Sequence, residues 1–409
     1  MRVAVIGAGI QGICAALELA RRGCTVDLYE KDPAPISRAS RWNEGKVHLG
    51  FVYARDETQK TAQMAQRGAF SFWELLGRWI DTHGLESALS EPFIYAVHRD
   101  SVLDVESVEA HLRRVVADAR LTRDQAGGTY LGDREPFVVE RLSQSELEQH
   151  LSADMVAGAF RTAERSIDPG VVADALTTAI SAESRVELAV SSAVTAIEHL
   201  DNGQFRLRIA DHEPVHDEYR VIVNASWEDR LRLDATSGLS TDRPRLFRYK
   251  LALHGKSPKS LGDLPSVTTV AGPFGDVVRF PNDGFYLSWY PSCMIGSSTD
   301  LSPPDFAASL NATRRASVLD ETVSALQTLV PQLAAIDLDG SSITVDGGFI
   351  FTWGATDITD PSSELHQRSD IGVHSDRNYH SIDTGKYGMA PVFAVEVADR
   401  IIADPNLRE

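Results

Sequence analysis

Three glycines and an acid near the start of the chain are spaced for chemistry. Gly7, Gly9 and Gly12 follow the apolar run V-A-V-I, and Glu30 closes T-V-D-L-Y-E eighteen residues after Gly12. Gly7 permits a tight turn out of a strand. Gly9 has no side chain, so the backbone can approach a pyrophosphate, and Gly12 lets the following helix pack close to the sheet. The helix then aims its first amides, at Ile10 and Gln11, and its positive dipole end at the phosphates. Glu30 accepts hydrogen bonds from a ribose diol and disfavours a 2′-phosphate, which argues against NADP. Further along, His48 is a side chain that can act as a base near neutral pH. Arg248, Arg279 and Arg377 are candidate clamps for a carboxylate or phosphate, because the guanidinium fork binds planar anions through two hydrogen bonds. Arg279 precedes an aromatic-rich stretch with Tyr286, Trp289 and Tyr290, which reads equally as pocket wall or core. Arg377 directly precedes Asn378, Tyr379 and His380. Glu44 reads as a capping or supporting residue.

These residues need a frame. Residues 3–6 form a short apolar run suited to a strand buried on both faces. Residues 13–22 follow a helical pattern with Ala15, Ala16, Leu19 and Ala20 as the packing face and Gly23 as a stop. Residues 59–84, 104–120, 311–329 and 390–403 also read as helices. Residues 121–136 read as a loop containing Gly127 and Gly128. Ser143 and Glu146 have capping-box spacing, and Asp168-Pro169 opens a helix. Residues 186–198, 205–210 and 219–225 read as strands. From 247 to 296 strand-like segments dominate, separated by Gly, Pro and Asn-Asp turns, which predicts an antiparallel sheet. Residues 354–369 form a polar loop of a length often used as a lid.

The chain has 409 residues, enough for two domains. Its 43% hydrophobic and 24% charged content is that of an ordinary globular protein. A formal charge of −18 argues against nucleic acid and anionic membrane as partners. Cys14, Cys24 and Cys293 have no metal-ligand spacing, and so few unpaired cysteines suggest a reducing compartment; the cytoplasm is the expected location. No run is long and apolar enough to span a membrane, and no metal is expected.

Four segments resemble the D-amino-acid oxidase superfamily of FAD-dependent oxidoreductases, which includes glycine and sarcosine oxidases and glycerol-3-phosphate dehydrogenases. The first is the glycine fingerprint with Glu30-Lys31. The second is S-R-A-S-R-W-N-E-G-K-V-H-L-G-F-V-Y at 37–53. It is similar to the pyrophosphate- and flavin-contacting stretch of the glycerol-3-phosphate branch, with Leu49-Gly50 in place of paired glycines. The third is V-I-V-N-A-S-W at 221–227, where Ser226 and Trp227 replace the usual Thr-Gly. The fourth, I-D-T-G-K-Y-G-M-A-P at 382–391, resembles the turn that closes over the flavin ring.

The resemblance implies FAD rather than NAD. It implies contacts from Lys31, Ser40, Asn43, Gly45 and Lys46, from Val194 and Ala225, and from Gly385, Lys386, Tyr387, Gly388 and Met389. Lys386 and a helix N-terminus would stabilise negative charge on the reduced ring. His48 lies in the flavin-contacting stretch, where some relatives attach flavin covalently through histidine. The expected architecture is α/β. A Rossmann-like FAD-binding domain (1–85, 140–240 and 355–409) is interleaved with an antiparallel-sheet α+β substrate domain (86–139 and 241–354). The expected activity is hydride transfer from a C–H of a small amine or amino acid to flavin N5, with His48, Arg279, Tyr290, Arg377 and Tyr379 as the catalytic set. The substrate would be a small molecule carrying an acidic group, and oxygen or a carrier would accept the electrons. The alternatives are a hydroxyl substrate, either a polyol phosphate or a 2-hydroxy acid, and a non-catalytic FAD-binding protein.

Overall fold

The computed structural model describes residues 1–126, 128–210, 218–272, 274–338, 341–360 and 362–407. Its first layer is a six-stranded sheet in the order Gly372–Asp376, Tyr379–Asp383, Ile222–Asn224, Arg2–Ile6, Thr25–Tyr29 and Val186–Ala189. All neighbours are parallel except the hairpin of the first two strands. Val3, Ala4 and Val5 are wholly enclosed, as the unbroken apolar run requires. The helix Ile10–Arg21 starts at Gly9 and packs tightly on the sheet. A Cβ on Gly12 would lie 1.8 Å from the Gly7 carbonyl oxygen, so no other residue fits there. The helices Pro169–Ala182 and Ala390–Ala403 cover the same core. Asp168 caps the former, accepting from the amides of Gly170 and Val171.

The second layer is a nine-stranded sheet. The strand Arg245–Lys256 is its spine, paired along its length with Ser342–Trp353 and on the other side with Gly284–Trp289 and Met294–Ser298. The strands Gly275–Arg279, Ser266–Val270, Phe93–His98, Val156–Thr162 and Val139–Arg141 complete it. Two expectations change here. The sheet is mixed, because Phe93–His98 and Ser266–Val270 run parallel. Val156–Thr162 belongs to this sheet, so the chain leaves it after Thr162 rather than at residue 140.

Two stretches that read as single strands each divide between sheets. Val186–Ala189 joins the parallel layer, while Val194–His199 starts a small third sheet with Phe205–Ile209 and Glu218–Tyr219. The break falls at Ser191, whose φ of +51° turns the chain. Ile222–Asn224 then returns to the parallel layer. The helix Val105–Ala126 runs into the stretch expected to be a loop, and Gly127 lies outside the described residues. The capping box at Ser143 and Glu146 opens the helix Gln144–His150. Among the described residues, no helix is long and apolar enough to cross a membrane.

One feature of the larger sheet positions the site. Tyr95, Thr268, Asp276 and Ser288 pair in register on four neighbouring strands, so they form one polar row across a single face.

Candidate active site

A cleft of about 500 Å³ is lined by residues from both layers. Its nucleotide-layer end is built on the glycine turn. Gly7 has φ +94°, and a Cβ there would meet the Ala225 carbonyl oxygen at 2.7 Å. Gly9 faces the cleft, and Ser40 Oγ behind it accepts the Ile10 amide at 3.1 Å. Glu30 is fixed by the amides of Ala8 (2.7 Å) and Asp32 (2.9 Å), which leaves lone pairs for a ribose diol. Burial pushes its carboxyl up, against those two donors. Lys31 is held by Glu228 at 2.8 Å and Asp229 at 2.6 Å. Val194 and Ala225 complete this end. Gln11 ties it to the C-terminal segment, donating to the Ala390 carbonyl and accepting from the Thr384 hydroxyl, both at 3.2 Å.

Trp227 stands at the junction of the layers. Its φ is +53°, in the region where glycine is at home, and its indole Nε1 donates to the Phe349 carbonyl at 2.8 Å.

The sheet end is highly charged. Asn43 braces the turn here, donating to the Ala39 carbonyl and accepting from the Gly45 amide. Lys46 passes over the Phe93 ring and donates to Thr268 and, at 2.9 Å, to Asp276 of the polar row. Burial raises the Asp276 carboxyl, but Lys46 and Lys250 outweigh it and hold the group below the usual range. His48 is 8% exposed, with Nδ1 3.4 Å from Glu164 and Nε2 3.7 Å from Glu44. Burial likewise opposes ionisation of Glu44, and His48, Lys46 and Lys250 bring its carboxyl well below the usual range. Lys250 donates to Ser288 Oγ at 3.1 Å. Arg368 donates to the Phe351 carbonyl, and Lys386 lies over the Tyr53 ring. Among the described residues, Lys250, Arg368 and Lys386 have no carboxylate within ion-pair distance. Burial and the neighbouring Arg368, Lys46 and Arg248 cations depress the Lys386 ammonium well below its ordinary range, against the pull of Glu44.

The structure brings together much of what the sequence proposed. Gly7, Gly9, Ile10, Gln11, Glu30 and Lys31 line the cleft, as do Ser40, Asn43, Lys46, His48, Val194 and Ala225. Gly385, Lys386 and Tyr387 line it as well. Gly12, Gly45, Gly388 and Met389 do not. Gly12 packs the helix, Gly45 turns against the Ile167 carbonyl, and Gly388 and Met389 back onto Gly68.

The remaining catalytic candidates lie outside the cleft lining. Arg279 alternates to the face opposite Asp276, where it bonds the Gly262 carbonyl and pairs with Glu91. Arg377 is exposed at the tip of the last hairpin, with φ +52°. Tyr379 is buried in a network with Asn224 and Asp234. Tyr290 joins Arg248 to Asp357, so that arginine already holds a carboxylate of the chain. Conversely, Glu44, Lys250, Arg368, Trp42 and Tyr286 line the cleft. Lys250 had a legible signal: Arg248 and Lys250 alternate with Phe247, Tyr249 and Leu251 and so share one face.

The glycine turn, the acid at the second strand and a cleft that reaches a second, mixed sheet are the arrangement of a dinucleotide-dependent enzyme. A profile of the DAO family, described as FAD dependent oxidoreductase, matches residues 2–380, and the chain belongs to that family. Solved structures of similar fold include glycine oxidase from Geobacillus kaustophilus, with 17% identity and a TM-score of 0.66, covering 97% of this chain and 94% of that one. L-alpha-glycerophosphate oxidase from Mycoplasma pneumoniae with FAD bound is 15% identical with a TM-score of 0.65, covering 98% and 95%. L-proline dehydrogenase from P. horikoshii is 16% identical with a TM-score of 0.64, covering 98% and 93%. No curated protein matches the chain by sequence. The protein is an FAD-dependent oxidoreductase, and FAD is its cofactor. Its residues fit that group: Gly9 leaves open the space a Cβ would fill, the N-terminal end of the helix at Ile10 and Gln11 opens onto that space, and Glu30 offers acceptors beyond it.

Proposed function

We propose that the chain oxidises a small amino acid or related amine at the carbon bearing nitrogen. FAD, when bound, supplies the hydride acceptor. The observation that supports this reading is the charge pattern at the sheet end. An ionised carboxylate, Glu44, shares the cleft with Lys250, Arg368 and Lys386, none of which has a carboxylate within ion-pair distance among the described residues; Lys386, whose ammonium is depressed, becomes a full cation when an anion arrives. That pattern complements a zwitterion: Glu44 receives the ammonium and the cations receive the carboxylate. Tyr286 and Trp42 add apolar wall, and binding between such groups orients the C–H and displaces water. His48, beside Glu44, is placed to hold the proton that the ammonium must lose before oxidation. Oxygen or a carrier then collects the electrons. Residues 1–85, 163–240 and 355–409 serve the cofactor. Residues 86–162 and 241–354 serve the substrate.

A second reading has its own support. A histidine set between two carboxylates is a suitable base for a hydroxyl group. Oxidation of a 2-hydroxy acid or a polyol phosphate would use His48 in this way. One experiment separates the two. Anaerobic mixing with panels of amino acids, secondary amines, 2-hydroxy acids and polyol phosphates is followed by flavin absorbance. Bleaching by amines and not by alcohols is the expected result, and bleaching by alcohols alone overturns the first reading.

A further inference from the structure

Glu164 follows the strand Val156–Thr162 and is wholly enclosed. A carboxylate taken out of water is costly unless donors surround it. The Leu49 amide donates to Oε2 at 2.5 Å, and the Tyr95 hydroxyl donates to Oε1. His48 Nδ1 lies 3.4 Å from the same Oε1, longer than a formed hydrogen bond, and this buried ring nitrogen has no hydrogen-bond partner among the described residues, which leaves Glu164 as the acceptor within reach. Each carboxylate oxygen has two acceptor sites, so Oε1 can serve both Tyr95 and His48. A ring lone pair facing that oxygen would be repelled, whereas a ring N–H is attracted. The burial of Glu164 therefore selects the imidazole with its proton on Nδ1.

We propose that Glu164 is the positioning residue for His48. In the neutral ring it holds the tautomer whose Nε2 carries the lone pair: Glu164 is nearer, at 3.4 Å, and fully enclosed, whereas Glu44 lies 3.7 Å from Nε2 and is part-exposed, so water screens that weaker repulsion at the cleft side. The Glu164 carboxylate also grips the Leu49 amide, so ring and backbone are fixed together. Through Tyr95 they are tied to the strand Phe93–His98 of the substrate sheet. Glu44, 3.7 Å from Nε2, and the Tyr53 ring also lie beside the imidazole. The inference rests on the reading above only in taking Nε2 as the working nitrogen.

The test uses FAD-loaded protein labelled with ¹⁵N-histidine. Long-range ¹H–¹⁵N correlation spectra are recorded across a pH titration, with the His48 signals assigned by their loss in His48→Asn. Neutral His48 is expected as the Nδ1–H form. In Glu164→Gln that signature is expected to give way to the Nε2–H form. With any substrate that bleaches the flavin, kcat is then expected to fall about 10- to 100-fold while KM stays within about threefold. Wild-type His48 found as the Nε2–H tautomer overturns the proposal without any variant, which covers the case of a Glu164→Gln protein that fails to fold. A folded Glu164→Gln protein with an unchanged tautomer overturns it too. If turnover survives His48→Asn while the wild-type Nδ1–H signature holds, the catalytic reading of His48 fails and the positioning inference stands.

Discussion

The Lys46 ammonium sits 2.9 Å from the Asp276 carboxylate and joins the loop after Asn43 to the polar row of the nine-stranded sheet. Lys46 is almost fully enclosed, and the Asp276 side chain is 17% exposed. Removing one partner of such a pair strands the other charge. Lys46→Met is expected to destabilise the protein by about 3 kcal/mol. The double variant Lys46→Met/Asp276→Asn should recover most of that loss. Urea denaturation of the four proteins in the cycle measures it, and additive losses would show that the pair is not coupled.

The glycine turn predicts two different failures. Gly12→Ala places a methyl group against the Gly7 carbonyl oxygen, so the protein should be poorly folded and colourless. Gly9→Ala meets only Ser40 Oγ, at 3.1 Å, and that hydroxyl can rotate away. The Gly9→Ala protein should melt within a few degrees of wild type but bind FAD about tenfold more weakly, or worse. The ratio of flavin to protein absorbance after purification, read beside the melting curve, distinguishes the two. Gly9→Ala protein with full flavin content would contradict the cradle.

Anion binding should take up protons. Lys386 is held below its ordinary range, mainly by burial. A carboxylate entering beside it favours the charged ammonium and raises that value. Between the two values binding adds a proton, so affinity for a carboxylate probe weakens as pH rises. Titration calorimetry with acetate in buffers of different ionisation enthalpy reads the proton directly. Lys386→Met should abolish the uptake, and an unchanged proton count in that variant would assign it elsewhere.

Glu18 anchors the first helix from behind the cleft. Its enclosed carboxylate takes bonds from Arg21 and Arg22 at 2.8 Å and from Trp79 at 3.2 Å. Burial alone would raise it, but these partners lower it to about 2. A depressed carboxyl stabilises the fold above its unfolded value and loses that contribution as pH falls. Relative to Glu18→Gln, the wild type should gain on the order of 2 kcal/mol at neutral pH, and the gap should close between about pH 4.5 and pH 2. Denaturation of both proteins at neutral and acid pH checks this. A gap that does not vary with pH would rule out the charge as its source.

What could be read from the sequence was local. The turn at Gly7, Gly9 and Gly12, the acid at Glu30, the box at Ser143 and the cap at Asp168 each depend on neighbours within a few residues. What could not be read was long-range. Tyr379–Asp383 is a central strand of the parallel layer, yet it spells Y-H-S-I-D. Its polar side chains are satisfied by partners far along the chain, such as Asp234, which accepts from both Tyr379 and Ser381. Arg279 shows the converse: its strand was visible, but the face it occupies was set by which neighbour reached Asp276. Glu164 carries no signal at all, since R-T-A-E-R-S resembles any exposed turn. Its significance exists only once Leu49, Tyr95 and His48 converge on it.

Trp227 gives the molecule a sprung joint. Its backbone is bent the wrong way for a bulky residue, at a cost of roughly 1–2 kcal/mol, and the bond to Phe349 helps keep it bent. Parting the layers would break that bond, itself worth roughly 1 kcal/mol, and let the backbone relax. The two terms nearly cancel. At this point the contact between the layers is balanced rather than bolted, and cohesion falls instead to the apolar core the two sheets share, where Val3 and Val5 belong to one cluster with Tyr95, Val278 and Tyr286.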